Sequence, residues 1–90
     1  MSKLCKQAQA GTLESSDILI MLAPAEPGTG IAIELISPAI NQYGEHIEKL
    51  IAAIIKDHGI QDVIIQANDK GALDCTIDAR VKTAIARALA

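Results

Sequence analysis

Three hydroxyl side chains and two carboxylates crowd into one short polar run, Gly11-Thr12-Leu13-Glu14-Ser15-Ser16-Asp17, directly ahead of the most apolar stretch of the chain. A hydroxyl in a polar turn that opens a strand, as at Ser15 or Ser16, is exposed yet held by a rigid element. Glu14 and Asp17 flank the serines as a base would, although carboxylates at strand starts more commonly serve the turn as solvated side chains. A second run, Asp69-Lys70-Gly71-Ala72-Leu73-Asp74-Cys75, brings a cation, a glycine suited to positive φ and a thiol at the start of a helix. No histidine is spaced to activate Cys75, which reads better as a small packed residue, and Cys5 carries no functional argument. His46 and His58 lack ligand spacing, and no Cys-x-x-Cys is present, so no metal site is expected.

The elements that must position these residues follow from hydrophobic periodicity. Residues 17–23 are apolar on both alternating faces, the pattern of a central strand covered on both sides. Two prolines and two glycines in residues 24–30 mark a loop, and Ile31, Ile33 and Leu35 then alternate as a second strand, which predicts a hairpin with the first. Ser37 and Pro38 read as an N-cap and first helical residue. The helix they open carries Ile40, Tyr43, Ile47, Leu50, Ile51, Ile54 and Ile55 on one stripe, a Glu45–Lys49 pair opposite, and Gly59 as its stop. Val63, Ile65 and Ala67 mark a third strand. Ile77, Val81, Ala84, Ile85 and Ala88 mark a second helix, capped by Asp74 or Thr76.

The expected fold is therefore α+β: a sheet of three strands in the order 2-1-3 with strand 17–23 central, or four if residues 4–10 add an edge strand, packed against two helices. The third strand, reached through a crossover helix, must lie on the free side of strand 17–23 and antiparallel to it. Its end then meets the start of the first strand, which brings Ser15 beside residues 69–75. At that edge the N-terminus of the last helix and Lys70, with Arg80 as a further source of charge, would favour a phosphate. Arg80 and Arg87 otherwise read as a solvated helix flank. Leu19, Met21, Ile36 and Ile64 would face away from the helices and need a cover.

Ninety residues make one domain, residues 1–90, and a chain of this size buries only about 60 to 65% of its unfolded surface, which suits a subunit of a larger assembly. Half of the residues are apolar, yet there is no Trp or Phe and a single Tyr, so the core must be aliphatic. A net charge of −3 without a Lys/Arg stripe argues against nucleic acid. The apolar run 18–23 is too short to span a bilayer, and no signal-peptide pattern is present, so a cytoplasmic protein with reduced thiols is expected.

Together, the two polar runs resemble those of the acyl carrier (gamma) subunit of bacterial citrate lyase, and the likeness extends over nearly the whole chain. The resemblance implies a carrier rather than a catalyst. It implies that Ser15 bears phosphoribosyl-dephospho-CoA through a phosphodiester, with Lys70 and Gly71 beside the attachment point; Ser16 is set apart from Ser15 only by the register of the motif. It further implies as partners the alpha (transferase) and beta (lyase) subunits and the transferase that attaches the arm. The arm's thiol would carry acetyl, then citryl, during cleavage of citrate to acetate and oxaloacetate. The strand pattern argues against the helical bundle of the usual acyl carrier. Two alternatives stand beside this reading: the related carrier of malonate decarboxylase, and a small α+β module that binds a ligand or dimerises through its sheet.

Overall fold

The computed structural model describes residues 4, 6–38 and 40–89; Cys5 lies outside them, as does the side chain of Ile40. Six elements follow one another: β1 (Ala8–Ala10), β2 (Ile18–Pro24), β3 (Ile31–Ile36), α1 (Ile40–Asp57), β4 (Val63–Asp69) and α2 (Asp74–Leu89). The strands form one mixed sheet in the order β1-β2-β4-β3, and both helices cover the same face. The α+β class and the edge strand near the N-terminus are as expected. Order 2-1-3 is not.

β3 does not form a hairpin with β2; β4 stands between them, antiparallel to β2 and parallel to β3. Two physical features explain this. Asp62, just before β4, accepts hydrogen bonds on Oδ1 from the Gly28 and Gly30 amides at 3.0 and 2.9 Å, and the Val63 amide donates to the Gly30 carbonyl at 3.1 Å. The loop is thus tied to the start of β4, and its six residues easily span the roughly 10 Å between next-but-one strands. The α1 crossover then sets β3 and β4 parallel as immediate neighbours.

The pairing of β2 with β4 is as the sequence implies. Its register runs from Pro24↔Val63 to Ile18↔Asp69, so the end of β4 meets the start of β2. Ile18, Ile20 and Leu22 on β2 and Val63, Ile65 and Ala67 on β4 point into the helical layer and are buried. Leu19, Met21 and Ala23 are only half-buried, since no helix covers the other face; Ile36 and Ile64 on that face are exposed. Ile47, Ile51, Ile54 and Ile55 of α1 and Ile77, Val81, Ala84, Ile85 and Ala88 of α2 complete an aliphatic core, each fully buried Ile contributing about 1.5–3 kcal/mol.

Helix α1 ends as predicted. Gly59 takes φ 73°, its amide donates to the Lys56 carbonyl, and the Ile60 amide reaches back to the Ile55 carbonyl, a Schellman arrangement. The Glu45–Lys49 pair forms at 2.9 Å. Tyr43 departs from its stripe and is exposed. At α2 neither Asp74 nor Thr76 is the cap: the Leu73 carbonyl accepts from the Thr76 and Ile77 amides, which puts Asp74 inside the first turn.

Gly11 links β1 to the polar run at φ 98°, and a Cβ there would stand 1.8 Å from the Ile18 carbonyl oxygen, whereas at Gly28, φ 94°, a Cβ would meet nothing within 4 Å. Gly11→Ala should therefore lower unfolding stability well beyond the loss of about 1 kcal/mol expected for Gly28→Ala from backbone strain alone. Urea denaturation of the two variants measures this, and equal losses would show that the approach at Gly11 is not constraining.

Candidate functional site

The β2–β4 ladder continues past its last strand residues. The Lys70 amide donates to the Asp17 carbonyl at 2.9 Å, and the Ser16 amide donates to the Lys70 carbonyl at 2.8 Å. The Asp17 amide closes a turn onto the Glu14 carbonyl at 3.2 Å, leaving Ser15 and Ser16 as its two corner residues. Ser16 takes φ 65°, a left-handed conformation that costs a non-glycine residue about 1–2 kcal/mol and that the bond to Lys70 holds in place. The two polar runs of the sequence thus meet at one edge of the sheet.

Asp17 locks that turn. Its carboxylate accepts from the Thr12 hydroxyl at 2.7 Å, from the Ile18 amide at 2.7 Å, and from Arg80 Nε and Nη2 at 3.0 and 3.1 Å. The Arg80 hydrogen bonds, then those of Thr12 and Ile18, hold its pKa down to about 2 from an ordinary 3.8. Asp17 is therefore neither a solvated turn carboxylate nor a base for a serine. Arg80 is likewise not a solvated charge near the serines but the partner of Asp17. Arg87 is equally engaged, its Nη1 donating to the Gln9 carbonyl of β1 at 2.8 Å.

Asp69 organises the other side. It is 2% exposed, and its Oδ1 accepts from the Gly71 and Ala72 amides at 3.2 and 2.9 Å while its Oδ2 accepts from the Ser37 hydroxyl at 2.8 Å. Gly71 takes the positive φ expected of it, 89°. Asp69 lies between two grooves. The first, about 490 Å³, is lined by Leu13, Ser15, Ile36, Ser37, Pro38, Asp69 and Lys70. The second, about 420 Å³, lies between α1 and the first turn of α2, with Tyr43, His46, Ile47, Gly71, Leu73 and Ile77 among its walls. The start of α2 therefore borders the second groove, while the cation beside Ser15 is Lys70. Across the second groove His46 Nε2 meets the Asp74 carboxylate at 2.9 Å.

Of the two serines, Ser15 lines the first groove, while Ser16, held through its amide by the Lys70 carbonyl, does not. Among the described residues no carboxylate pairs with the Lys70 ammonium, no cluster of His, Cys, Asp and Glu could hold a metal ion, and no helix is long and apolar enough to cross a membrane. Cys75 is a free thiol and, against expectation, exposed. His58 bonds the Ile54 carbonyl at 2.8 Å and has no part in the site.

Sequence reasoning did not anticipate Asp17–Arg80, the role of Asp69 or the cluster around Tyr43. Asp69 alone carried a signal, because it continues the inward alternation of Val63, Ile65 and Ala67, and a polar side chain in an inward position must find partners. Asp17 and Arg80 are 63 residues apart and no local pattern joins them.

With its adjoining carboxylate committed to Arg80, the edge offers an exposed hydroxyl on a rigid turn, a cation, and a groove with apolar walls. This suits an attached group that has an anionic link and a less polar body, the requirement of a covalent carrier. The family model described as the acyl carrier "Malonate decarboxylase delta subunit (MdcD)" matches residues 5–88. The citrate lyase acyl carrier protein of Rhodopseudomonas palustris strain BisA53 is 46% identical over 87 residues, 97% of this chain and 88% of the relative. That of Lacticaseibacillus casei strain BL23 is 53% identical over 81 residues, 90% of this chain and 78% of the relative. The fold is shared with a chain in the crystal structure of a Pseudomonas malonate decarboxylase hetero-tetramer in complex with malonate, with a TM-score of 0.77 at 18% identity, over 96% of this chain and 87% of that one.

The chain belongs to this acyl carrier family, and within it stands with the citrate lyase acyl carrier proteins. It is a carrier subunit rather than a catalyst, and it works through a covalently bound prosthetic group within an enzyme complex.

The depressed pKa of Asp17 sets a pH dependence. A carboxylate whose pKa is lower folded than unfolded adds stability above its unfolded pKa and loses it as the pH falls through the folded value. Stability should therefore decline between about pH 4 and pH 2. In Arg80→Met that part of the decline should shrink, which urea titrations at several pH values would detect; parallel pH profiles for the two proteins would count against the Asp17–Arg80 bond as its source.

Proposed function

We propose that this chain is the acyl carrier subunit of a cytoplasmic citrate lyase, one domain that bears phosphoribosyl-dephospho-CoA on Ser15 through a phosphodiester. The observation that carries the assignment is the placement of Ser15: a corner of the turn closed by Asp17 and Glu14, opening onto the groove that Lys70 lines. Once bound, the group supplies a thiol that activates a carboxylic acid as its thioester. The residues of this chain hold and aim. The backbone exchange between residues 16–17 and Lys70 fixes the direction in which Ser15 projects, and Lys70 offsets the charge of the phosphodiester. Leu13, Ile36 and Pro38 give the base of the attached group an apolar wall.

The partners in this reading are the alpha subunit, which exchanges acyl groups, the beta subunit, which cleaves the citryl group, and the transferase that attaches the arm. Tethering raises the effective concentration of the acyl group at both active sites, provided the arm matches the distance between them. Asp17 is committed to Arg80 and Glu14 is exposed in the turn, and in this reading the attaching transferase supplies the base that deprotonates Ser15. The malonate decarboxylase carrier is a second reading, favoured by the family model and by the shared fold, whereas identities of 46% and 53% favour citrate lyase. Identifying the subunits that co-purify from the native host separates the two.

Intact mass and peptide mapping, after coexpression with the transferase, test the attachment. The mass increase should fall on the peptide holding Ser15, vanish in Ser15→Ala and persist in Ser16→Ala. An unmodified chain, or a modified Ser16, would overturn the assignment. In Lys70→Ala attachment should slow by about two- to fivefold, the effect of an exposed cation worth up to about 1 kcal/mol, and an unchanged rate would remove Lys70 from the site.

A further inference from the structure

Five large apolar side chains are exposed among the described residues, and four of them gather at the edge that carries Ser15. Leu13 and Ile36 line the first groove, and Tyr43 and Leu73, 58% and 69% exposed, line the second. Tyr43 is the only Phe, Tyr or Trp of the chain. It belongs by spacing to the inward stripe of α1, yet it is exposed at the groove that Ile47 and Ile77 also line instead of joining the core.

The two grooves meet at residues 69–71. Asp69 lines both, Lys70 the first and Gly71 the second. A Cβ at Gly71 would meet nothing within 4 Å, so no other side chain crowds that residue. The charges of the two grooves differ in a way that matters. Lys70 lines the first, with no carboxylate paired to its ammonium among the described residues; the second holds the His46–Asp74 pair and, apart from these and the buried Asp69, is lined by apolar side chains, Tyr43 and Gly71. One groove suits a phosphate, and its neighbour suits an uncharged flat ring that carries an amine.

We infer that Tyr43 and Leu73 form a stacking platform for the purine of the arm, so that the nucleotide end docks on the carrier while the thiol end stays free to travel. This rests on the attachment to Ser15 proposed above. The nucleotide end lies nearest the phosphodiester, and a group leaving Ser15 past Lys70 crosses Gly71 to reach Tyr43. An aromatic face stacks on a purine with little demand on its sequence surroundings, and the combined grooves fall in the size range of small-molecule sites. The Asp74 carboxylate at the rim can accept from the exocyclic amine. Docking the near end shortens the free tether and confines the thiol to one side of the sheet edge, which reduces the ordering still required when it enters a partner's active site.

The test uses the full chain, isotope-labelled and coexpressed with the attaching transferase, its mass increase first mapped to the Ser15 peptide. On modification the Tyr43 ring resonances should shift upfield and show nuclear Overhauser contacts to the purine protons. In Tyr43→Ala, and in Tyr43→Leu, which keeps apolar cover without a ring, the docking equilibrium constant, read from the purine proton shifts, should fall roughly fivefold or more, the low end of what one aromatic contributes per stacked base. Tyr43→Phe should retain docking. A modified Ser15 with unchanged Tyr43 resonances would overturn the platform and leave the carrier reading standing, whereas an unmodified chain would remove both. Tyr43 shifts that depend on protein concentration, or that arise only when the alpha and beta subunits are added, would assign the groove to a second copy or to those subunits and overturn the inference.

Discussion

The edge that carries Ser15 depends on one buried carboxylate. Burying an acidic side chain costs several kcal/mol unless its oxygens are bonded, and Asp69 meets that demand with three donors from two different segments, Ser37 after β3 and the Gly71 and Ala72 amides before α2. Each bond settles a direction of the chain. The Ser37 bond holds the exit of β3 against the end of β4, and the amide bonds bend the chain sharply after Lys70 so that α2 starts beside α1. The two grooves are the spaces left on either side of this knot.

Asp17 and Arg80 complement it from the other strand. One guanidinium reaches from α2 to the turn and meets both oxygens of the carboxylate, so the turn is joined to the helical layer as well as to β4. The strain at Ser16 is tolerated because its amide is held by Lys70 and its neighbour Asp17 is held by four donors. Ser15 stands outside all of these bonds while the backbone on either side of it is tied down. Such an arrangement gives the turn one fixed orientation. In this chain Asp17 and Asp69 serve the architecture, and Glu14 is the exposed carboxylate of the turn.

The aliphatic periods of β2, β4, α1 and α2 were legible because buried positions repeat every two or every three to four residues whatever the neighbours are. The approach of Ser15 to residues 69–75 was legible too, since it follows from the antiparallel pairing of two apolar strands and does not depend on which strand lies beyond them. The neighbour of β2 was misjudged. Nearness in the chain suggests a hairpin with β3, but a loop of this length can form one or step over a strand. The Asp62 bonds to Gly28 and Gly30 favour the second, and they join residues more than thirty apart. Tyr43 failed for a related reason: its spacing is correct for the stripe, but at the open end of α1 there is no sheet or helix to close over the ring.

By itself, then, the sequence determined the element types, the aliphatic core, the turn carrying the serine, and through its two polar runs the family to which the chain belongs. These are properties of local spacing and residue type. Tertiary structure alone decided the strand order, the commitment of Asp17 to Arg80, the buried role of Asp69, and the division of the edge into a cationic and an apolar groove. Each of those depends on side chains that meet across tens of residues, and such meetings are set by which packing of the layers satisfies every buried polar group at once.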